Sequence, residues 1–373
     1  MNKPKVIAFY LPQYHPMPEN DKWWGKGFTE WTSVAKAKPL YRGHVQPKIP
    51  ADLGFYDLRL SASREDQAKL AKENGIYGFC YWHYWFNGKR LMNQPFDEVV
   101  KSGKPDFPFC LAWANHSWYQ KGWSNGNSMV MGKSKLLIEQ TYGGVEDFTN
   151  HFYSMLDAFK DKRYIKIHGK LLFMVYNALG FDDFPLFKKT WEDLAKKEGL
   201  PGFYFITHAC IKEQIDKIDT FIDNGFEAVN VSLHRMPFKS ERRSKENRIQ
   251  QIIQKIKNRI NVRIKPEIVS YSEAIKWMDS DLFDRKDIIP TIIPNWDHTP
   301  RSGRFGRVFQ NCTPEIFGKH ASMIFRRNAK KNDDDNIIFL KSWNEWGEGN
   351  YIEPDLESGD SFLKALKSEF EKV

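Results

Sequence analysis

Residues 337–350 read Ile-Ile-Phe-Leu-Lys-Ser-Trp-Asn-Glu-Trp-Gly-Glu-Gly-Asn. The run Ile337–Lys341 is short and apolar, and it stops at a polar, aromatic and glycine-rich stretch. A buried strand running into a loop reads this way. Seven further runs of the same kind lie upstream: Val6–Tyr10, Tyr77–Trp82, Phe109–Trp113, Leu171–Tyr176, Phe203–Thr207, Ala228–Val231 and Ile288–Ile293. Between them the chain reads as amphipathic helix at Ser61–Asn74, Val145–Lys160, Pro185–Glu198 and Thr313–Ala329. The first of these is capped by Ser61 or Ser63 and closed by Gly75, and the third is followed by Gly199. Strands alternating with helices predict a parallel sheet, and eight strands predict closure into a single (β/α)8 TIM barrel over residues 1–373. A doubly wound open sheet is the alternative.

The connection after the first strand is anomalous. From Leu11 to Leu60 the chain travels through LPQYHPMPENDKWWGKGFTEW and several Pro and Gly before a convincing helix begins. Long structured connections are usually functional. In a barrel this one leaves the C-terminal end of its strand and lies over the active-site mouth. It brings His15, Trp24, Glu30 and Trp31 there.

The 337–350 stretch carries the strongest chemical signal. Glu345 and Glu348 lie three residues apart, flanked by Asn344 and Trp346, with Gly347 and Gly349 permitting sharp turns and close approach. Neighbouring indole rings lower the local dielectric, and low dielectric and a like charge both raise a carboxyl pKa. Glycosidic bond cleavage needs such a pair, with one group protonated and the other ionised. Other run ends have a related character. Tyr81–Lys89 supplies His83 and Tyr84, Trp113–Trp118 supplies Trp113 and Asn115, and Pro294–Arg301 supplies Trp296 and Asp297. Tyr10 and Tyr176 close the first and fourth runs. Ring faces interleaved with hydrogen-bonding groups suit an oligo- or polysaccharide. The 13 Trp, many beside Gly, Asn and Glu, agree with a sugar-stacking surface.

Other chemistries find less support. His83, His116, His208, His234 and His298 fall near strand ends without close ligand spacing, and the four cysteines are scattered, so no metal is expected. There is no P-loop, and no cofactor is expected. No run approaches the length of a membrane span or a signal peptide core, which makes the cytoplasm the default. Net charge is +9, but Lys239–Lys265 holds ten Lys/Arg against two Glu, so nearly all of it belongs to this segment. Ile249, Ile252, Ile253, Ile256 and Ile260 form a helical stripe within it. An outer barrel helix with a solvated basic face is the plain reading of this insertion, and peripheral contact with a membrane surface or an anionic glycan is the sharper one. Nucleic acid is not expected, because the aromatics lie elsewhere.

FYLPQYHPMPENDKWWGKGFTEW, GFCYWHYWFNGKR, NWDHTPR and SWNEWGEGNYIEPD together resemble the WbsX-like family, which is related to glycoside hydrolase family 99. The resemblance implies a (β/α)8 barrel. Family 99 enzymes are endo-acting α-mannosidases and mannanases with a Trp-Asn-Glu-Trp-x-Glu-Gly motif, and both of its glutamates are catalytic. By this resemblance Glu345 is the base that assists the sugar 2-hydroxyl, giving a 1,2-anhydro sugar. Glu348 is the acid that protonates the leaving oxygen and then the base that activates water, with retention overall. Two departures stand out: Gly347 replaces the family 99 His, and Asn115-His116-Ser117-Trp118 replaces an Asn-Glu-Asn-Trp form. WbsX-like proteins are often encoded with bacterial O-antigen or capsule genes, and many are labelled glycosyltransferases. A glycosyltransferase of that pathway and a non-catalytic carbohydrate-binding protein are the alternatives to a hydrolase.

Overall fold

The computed structural model describes residues 3–120, 135–236 and 265–373. Eight parallel strands form its centre: β1 (Lys5–Tyr10), β2 (Gly78–Phe86), β3 (Phe109–Trp113), β4 (Lys170–Val175), β5 (Phe203–Ala209), β6 (Ala228–Val231), β7 (Ile288–Ile292) and β8 (Ile337–Leu340). Each pairs with its sequence neighbour, and β1 pairs with both β2 and β8, so the sheet closes on itself. The open-sheet alternative is thereby removed. Helices α1 (Ser61–Glu73), α2 (Gln94–Ser102), α3 (Gly144–Ser154), α4 (Phe184–Lys197), α5 (Ile218–Asp223), α6 (Tyr271–Met278), α7 (Pro314–Asn328) and α8 (Ser361–Glu371) follow the successive strands. No described helix is long and apolar enough to cross a membrane.

All eight expected strands are present. Two details of the helices differ. Leu60 takes the extended cap position of α1, so Ser61 is already helical and no side chain caps the end. The expected helix Val145–Lys160 breaks at Met155, whose φ of −114° and ψ of 3° leave the helical region, into α3 and a short helix Leu156–Lys160. Thr313 does cap α7, its side chain accepting from the Ile316 amide. The basic segment Lys239–Lys265 lies, except for Lys265, outside the described residues, and so does its isoleucine stripe.

Aromatic side chains fill both faces of the barrel wall. Outside, Trp191 of α4 meets Phe173 of β4 at 4.7 Å and Phe203 of β5 at 5.1 Å between ring centroids. Inside, Phe9 stacks on Trp82 at 4.9 Å and on Phe339 at 4.8 Å. Odd-numbered residues of β2 face the helices and even-numbered ones the lumen, as strand alternation requires.

The long connection after β1 contains two short helices, Pro18–Trp24 and Glu30–Lys36. It is fastened to the far end of the chain. The Tyr14 hydroxyl bonds to the Asn344 carbonyl and receives the Trp346 amide at 3.2 Å. Asn344 stitches the ends of β1 and β8 together: its Oδ1 accepts from the Leu11 amide at 2.7 Å and its Nδ2 donates to the Leu11 carbonyl at 3.0 Å. Asn344 is fully buried. Asn344→Ala leaves two backbone groups in a dry interior without partners, and the expected loss is about 2–4 kcal/mol, read from the urea midpoint at unchanged m-value. A loss below about 0.5 kcal/mol would contradict this role.

Candidate active site

The residues that follow β8 turn back sharply. Trp346–Glu348 forms one turn of 3₁₀ helix, and Gly349 ends it at φ 60°. A Cβ on Gly349 would fall 2.7 Å from both Cβ and N of Asp297, so glycine lets the loops after β7 and β8 touch. The Asp297 amide donates to the Glu348 carbonyl at 3.0 Å there.

Three carboxylates from two distant segments meet on one guanidinium. Arg301 Nε donates to Glu30 Oε1 at 2.8 Å, while its Nη1 lies 3.2 Å from Glu345 Oε1 and 2.6 Å from Glu348 Oε1. Glu345 also receives Lys341 Nζ at 3.4 Å and Ser342 Oγ at 3.2 Å on its other oxygen. Glu348 has His298 Nε2 at 3.3 Å and Asn350 Nδ2 at 3.4 Å. Lys341 is buried, and its ammonium lies 5.8 Å from the ring centroids of Phe9 and Trp296 and 6.0 Å from that of Trp82. Such ring faces attract a cation that has left water.

Burial and charge pull these groups in different directions. Burial alone would raise the Glu348 carboxyl, but Arg301, His298 and Lys341 outweigh it and hold it well below the usual range. At Glu30 burial wins over Arg301, aided by the charges of Glu345 and Glu348, and its carboxyl is raised. Burial would lower Arg301, yet the three carboxylates raise it further. Glu348 is thus held as an ionised carboxylate, while Glu30 on the same guanidinium is pushed towards its neutral form.

Gly347 explains itself in this geometry. A Cβ there would sit 1.7 Å from Glu30 Oε1 and 3.0 Å from Arg301 Nε. The space that a side chain would take is filled by the Glu30 carboxylate arriving from the β1 connection.

The structure distributes the expected site residues unevenly. Glu30, Glu345 and Glu348 meet at Arg301. Tyr84 faces them, its hydroxyl pKa raised by burial first and then by Glu345. Trp296 lies 4.1 Å from the His234 ring and against Lys341. Tyr176 stacks on His208 at 5.0 Å. Asp297 supports the loop, with His44 Nε2 at 2.8 Å, Gln46 Nε2 at 2.7 Å and Thr299 Oγ1 at 2.6 Å. Trp31 packs between Tyr14 at 4.6 Å and Trp346 at 5.5 Å, and Trp24 packs on Phe28. Asn115 bonds Tyr142 and the Asn177 carbonyl. The others point away from the carboxylates. Tyr10 faces α1 and bonds Gln67, and Trp113 packs on Phe187 of α4. His83 pairs with His151 of α3 at 2.8 Å, and His15 bonds the Pro12 carbonyl beside a separate surface pocket containing Arg90 and Asn93.

A family model described as Glycosyltransferase WbsX matches residues 6–366. The chain belongs to the WbsX family. Two relatives described as uncharacterized protein WxcX, from two strains of Xanthomonas campestris pv. campestris, are 30% identical over 365 residues, covering 97% of this chain and 49% of theirs. The chain thus spans about half the length of these curated relatives. Among solved structures, a GH99 endo-α-mannosidase from Bacteroides thetaiotaomicron is similar with a TM-score of 0.54 at 14% identity, covering 99% of this chain and 97% of that one. A glycoside hydrolase-like protein gives 0.58 at 16% identity, covering 99% and 94%. At such identities the likeness is one of fold, and this WbsX-family chain has the barrel of those proteins.

Sequence reasoning did not assign Arg301, although it closes the NWDHTPR motif, nor Lys341, which closes the run Ile337–Lys341 just after β8. It also missed Glu353. That carboxylate accepts from Tyr56 at 2.9 Å, Gln67 at 2.7 Å and the Trp346 indole at 2.6 Å, so it fixes the tryptophan between the two candidate glutamates. Burial raises it to about 7 against those bonds.

Two predictions follow from these contacts. Gly347→Ala is expected to destabilise by about 1–3 kcal/mol through overlap with Glu30. In a Glu30→Ala background the same change is expected to be milder by at least about 1 kcal/mol, and strictly additive losses in denaturant unfolding would contradict the contact. For Glu353, a folded pKa above the unfolded one makes its contribution complete below pH 4.5 and lost as pH rises through about 7. The Tm gap between wild type and Glu353→Gln is expected to move in favour of the variant from pH 5 to pH 8; an unchanged gap would contradict it.

Proposed function

We propose that this barrel is a glycoside hydrolase-like enzyme, cleaving or transferring a glycosidic bond in a bacterial polysaccharide or its lipid-linked precursor. Glu345 and Glu348 are its reacting carboxyls in this reading. The observation that carries it is the pair itself, Glu345 buried and Glu348 half-buried beyond the C-terminal end of β8, joined through one nitrogen of Arg301. That end of a (β/α)8 barrel is where catalytic groups sit. The fold shared with an endo-α-mannosidase supports the reading.

In the first step Glu345 takes the proton of the sugar 2-hydroxyl. The freed oxygen attacks the anomeric carbon, the bond to the leaving oxygen breaks, and Glu348 gives that oxygen its proton. In the second step water attacks the anomeric carbon of the 1,2-anhydro sugar and yields a proton to Glu348. The opened O2 recovers its proton from Glu345, and the anomeric configuration is retained. Glu348 must hold a proton at the start, yet Arg301 is the largest influence keeping it ionised in the free site. A sugar oxygen entering between them breaks the 2.6 Å bond and raises the proton affinity of Glu348 when an acid is needed.

The description of the WbsX family model favours transfer as a second reading. There a sugar hydroxyl replaces water in the second step. A strict requirement for a nucleotide-sugar donor would distinguish it.

Glu345→Gln and Glu348→Gln are each expected to reduce turnover of a glycoside by several orders of magnitude while circular dichroism and Tm show a folded protein. With an activated aryl glycoside Glu348→Gln is expected to lose less, since a good leaving group needs little acid help. Near-normal turnover in either variant would sink the assignment.

A further inference from the structure

The barrel lumen beside Lys341 holds an imidazole that the chemistry above does not use. His208 is next to last in β5. Phe203 and Phe205 of that strand face Trp191 of α4, so alternation turns His208 inward. Its ring meets Phe9 of β1, on the opposite side of the barrel, edge-on at 6.2 Å, and its face lies on Tyr176. Phe9 also lies under the ammonium of Lys341, which holds Glu345. His208 is therefore on the floor of the candidate site.

Its neighbours fix where its hydrogen sits. Asn230 of β6 donates through Nδ2 to the Ile289 carbonyl at 3.0 Å and to Thr291 Oγ1 at 2.9 Å. A carbonyl can only accept, so the Asn230 amide has one orientation, and its Oδ1 faces His208 Nδ1 at 2.7 Å. An amide oxygen can only accept, so Nδ1 carries the hydrogen and Nε2 the lone pair. Burial first, and Lys341 second, push the ring down to about 3, which keeps it neutral. Nε2 is buried and has no hydrogen-bond partner among the described residues. A buried polar atom of this kind is normally satisfied by water or by a ligand.

We infer that His208 Nε2 is a substrate-recognising acceptor, which takes a hydrogen bond from a hydroxyl of a neutral sugar beside Glu345 and disfavours an anionic one. This rests on the reading of the barrel mouth as a sugar site. A carboxylate or phosphate oxygen has no hydrogen to offer the lone pair, and Asn230 prevents the ring from turning its N–H towards the ligand. The specificity thus comes from a tautomer set one strand away.

The full chain labelled with 15N-histidine tests it, with the His208 signals assigned by their loss in His208→Gln. At pH 7 the neutral Nδ1–H tautomer is expected, and an Nε2–H tautomer or an imidazolium would overturn the inference. D-mannose and D-glucose are then titrated against D-glucuronate. One of the neutral sugars is expected to shift the Nε2 resonance and glucuronate is not. An equal response to glucuronate overturns the inference. His298, beside Glu348, serves as the monitor of the site. A sugar that shifts His298 and leaves His208 unmoved overturns this inference alone, whereas no response at either histidine counts against the sugar site as well. His208→Phe keeps the ring and removes the acceptor, and is expected to weaken binding of the responding sugar about tenfold. His208→Gln, which restores an acceptor, is expected to recover part of it. Equal losses in the two variants mark a packing role and overturn the assignment.

Discussion

One guanidinium makes this site physically admissible. Like charges about 4 Å apart at the margin of a protein repel by about 4 kcal/mol, and more in drier surroundings. Glu30, Glu345 and Glu348 could not share a water-poor pocket as neighbours without a cation between them. Arg301 supplies it, using Nε for one carboxylate and Nη1 for the other two. Lys341 adds a second cation on the far oxygen of Glu345, and three aromatic faces replace the water that this ammonium gives up. The β1 connection, the turn after β7 and the turn after β8 are thereby held in one place by charge as well as by packing.

The same arrangement accounts for the local departures from a simple acidic turn. Gly347 is small because Glu30 occupies its side-chain space, and Gly349 is small because Asp297 presses against it. Trp346 is locked from below by Glu353 and covered by Trp31. The candidate glutamates are therefore braced by residues that react with nothing, which is how a first set of reacting groups keeps its geometry.

The sequence made the barrel legible because each strand is a short apolar run with a polar aromatic end, and the strands found agree with those runs closely. Which side of the wall a residue faces was much harder to read. Parallel strands in a barrel are buried on both faces, so the hydrophobic alternation that would separate lumen from exterior is missing. Every residue of β2 is buried, for instance, although His83 turns to α3 and Tyr84 to the carboxylates. Tyr10 and Trp113 mislead for the same reason. Arg301 and Lys341 escaped because their role depends on partners from distant segments, which spacing along one segment does not reveal. Gly347 looked like a loss relative to the family 99 motif, and its reason appears only when residue 30 is seen against it.

The Asn344 stitch ties groups 333 positions apart in the chain. Contacts of such separation are the slowest to form, because a long loop must close before they give anything back. Glu345 is the next residue after Asn344, and Arg301 and Glu30 come from the last and first strand-to-strand connections of the barrel. The carboxylate cluster cannot exist in a partly wound barrel, in which a lone buried charge would meet no partner. Appearance of the assembled site during refolding is therefore a clock for ring closure, and a chain stalled short of its last strand would hold none of this chemistry.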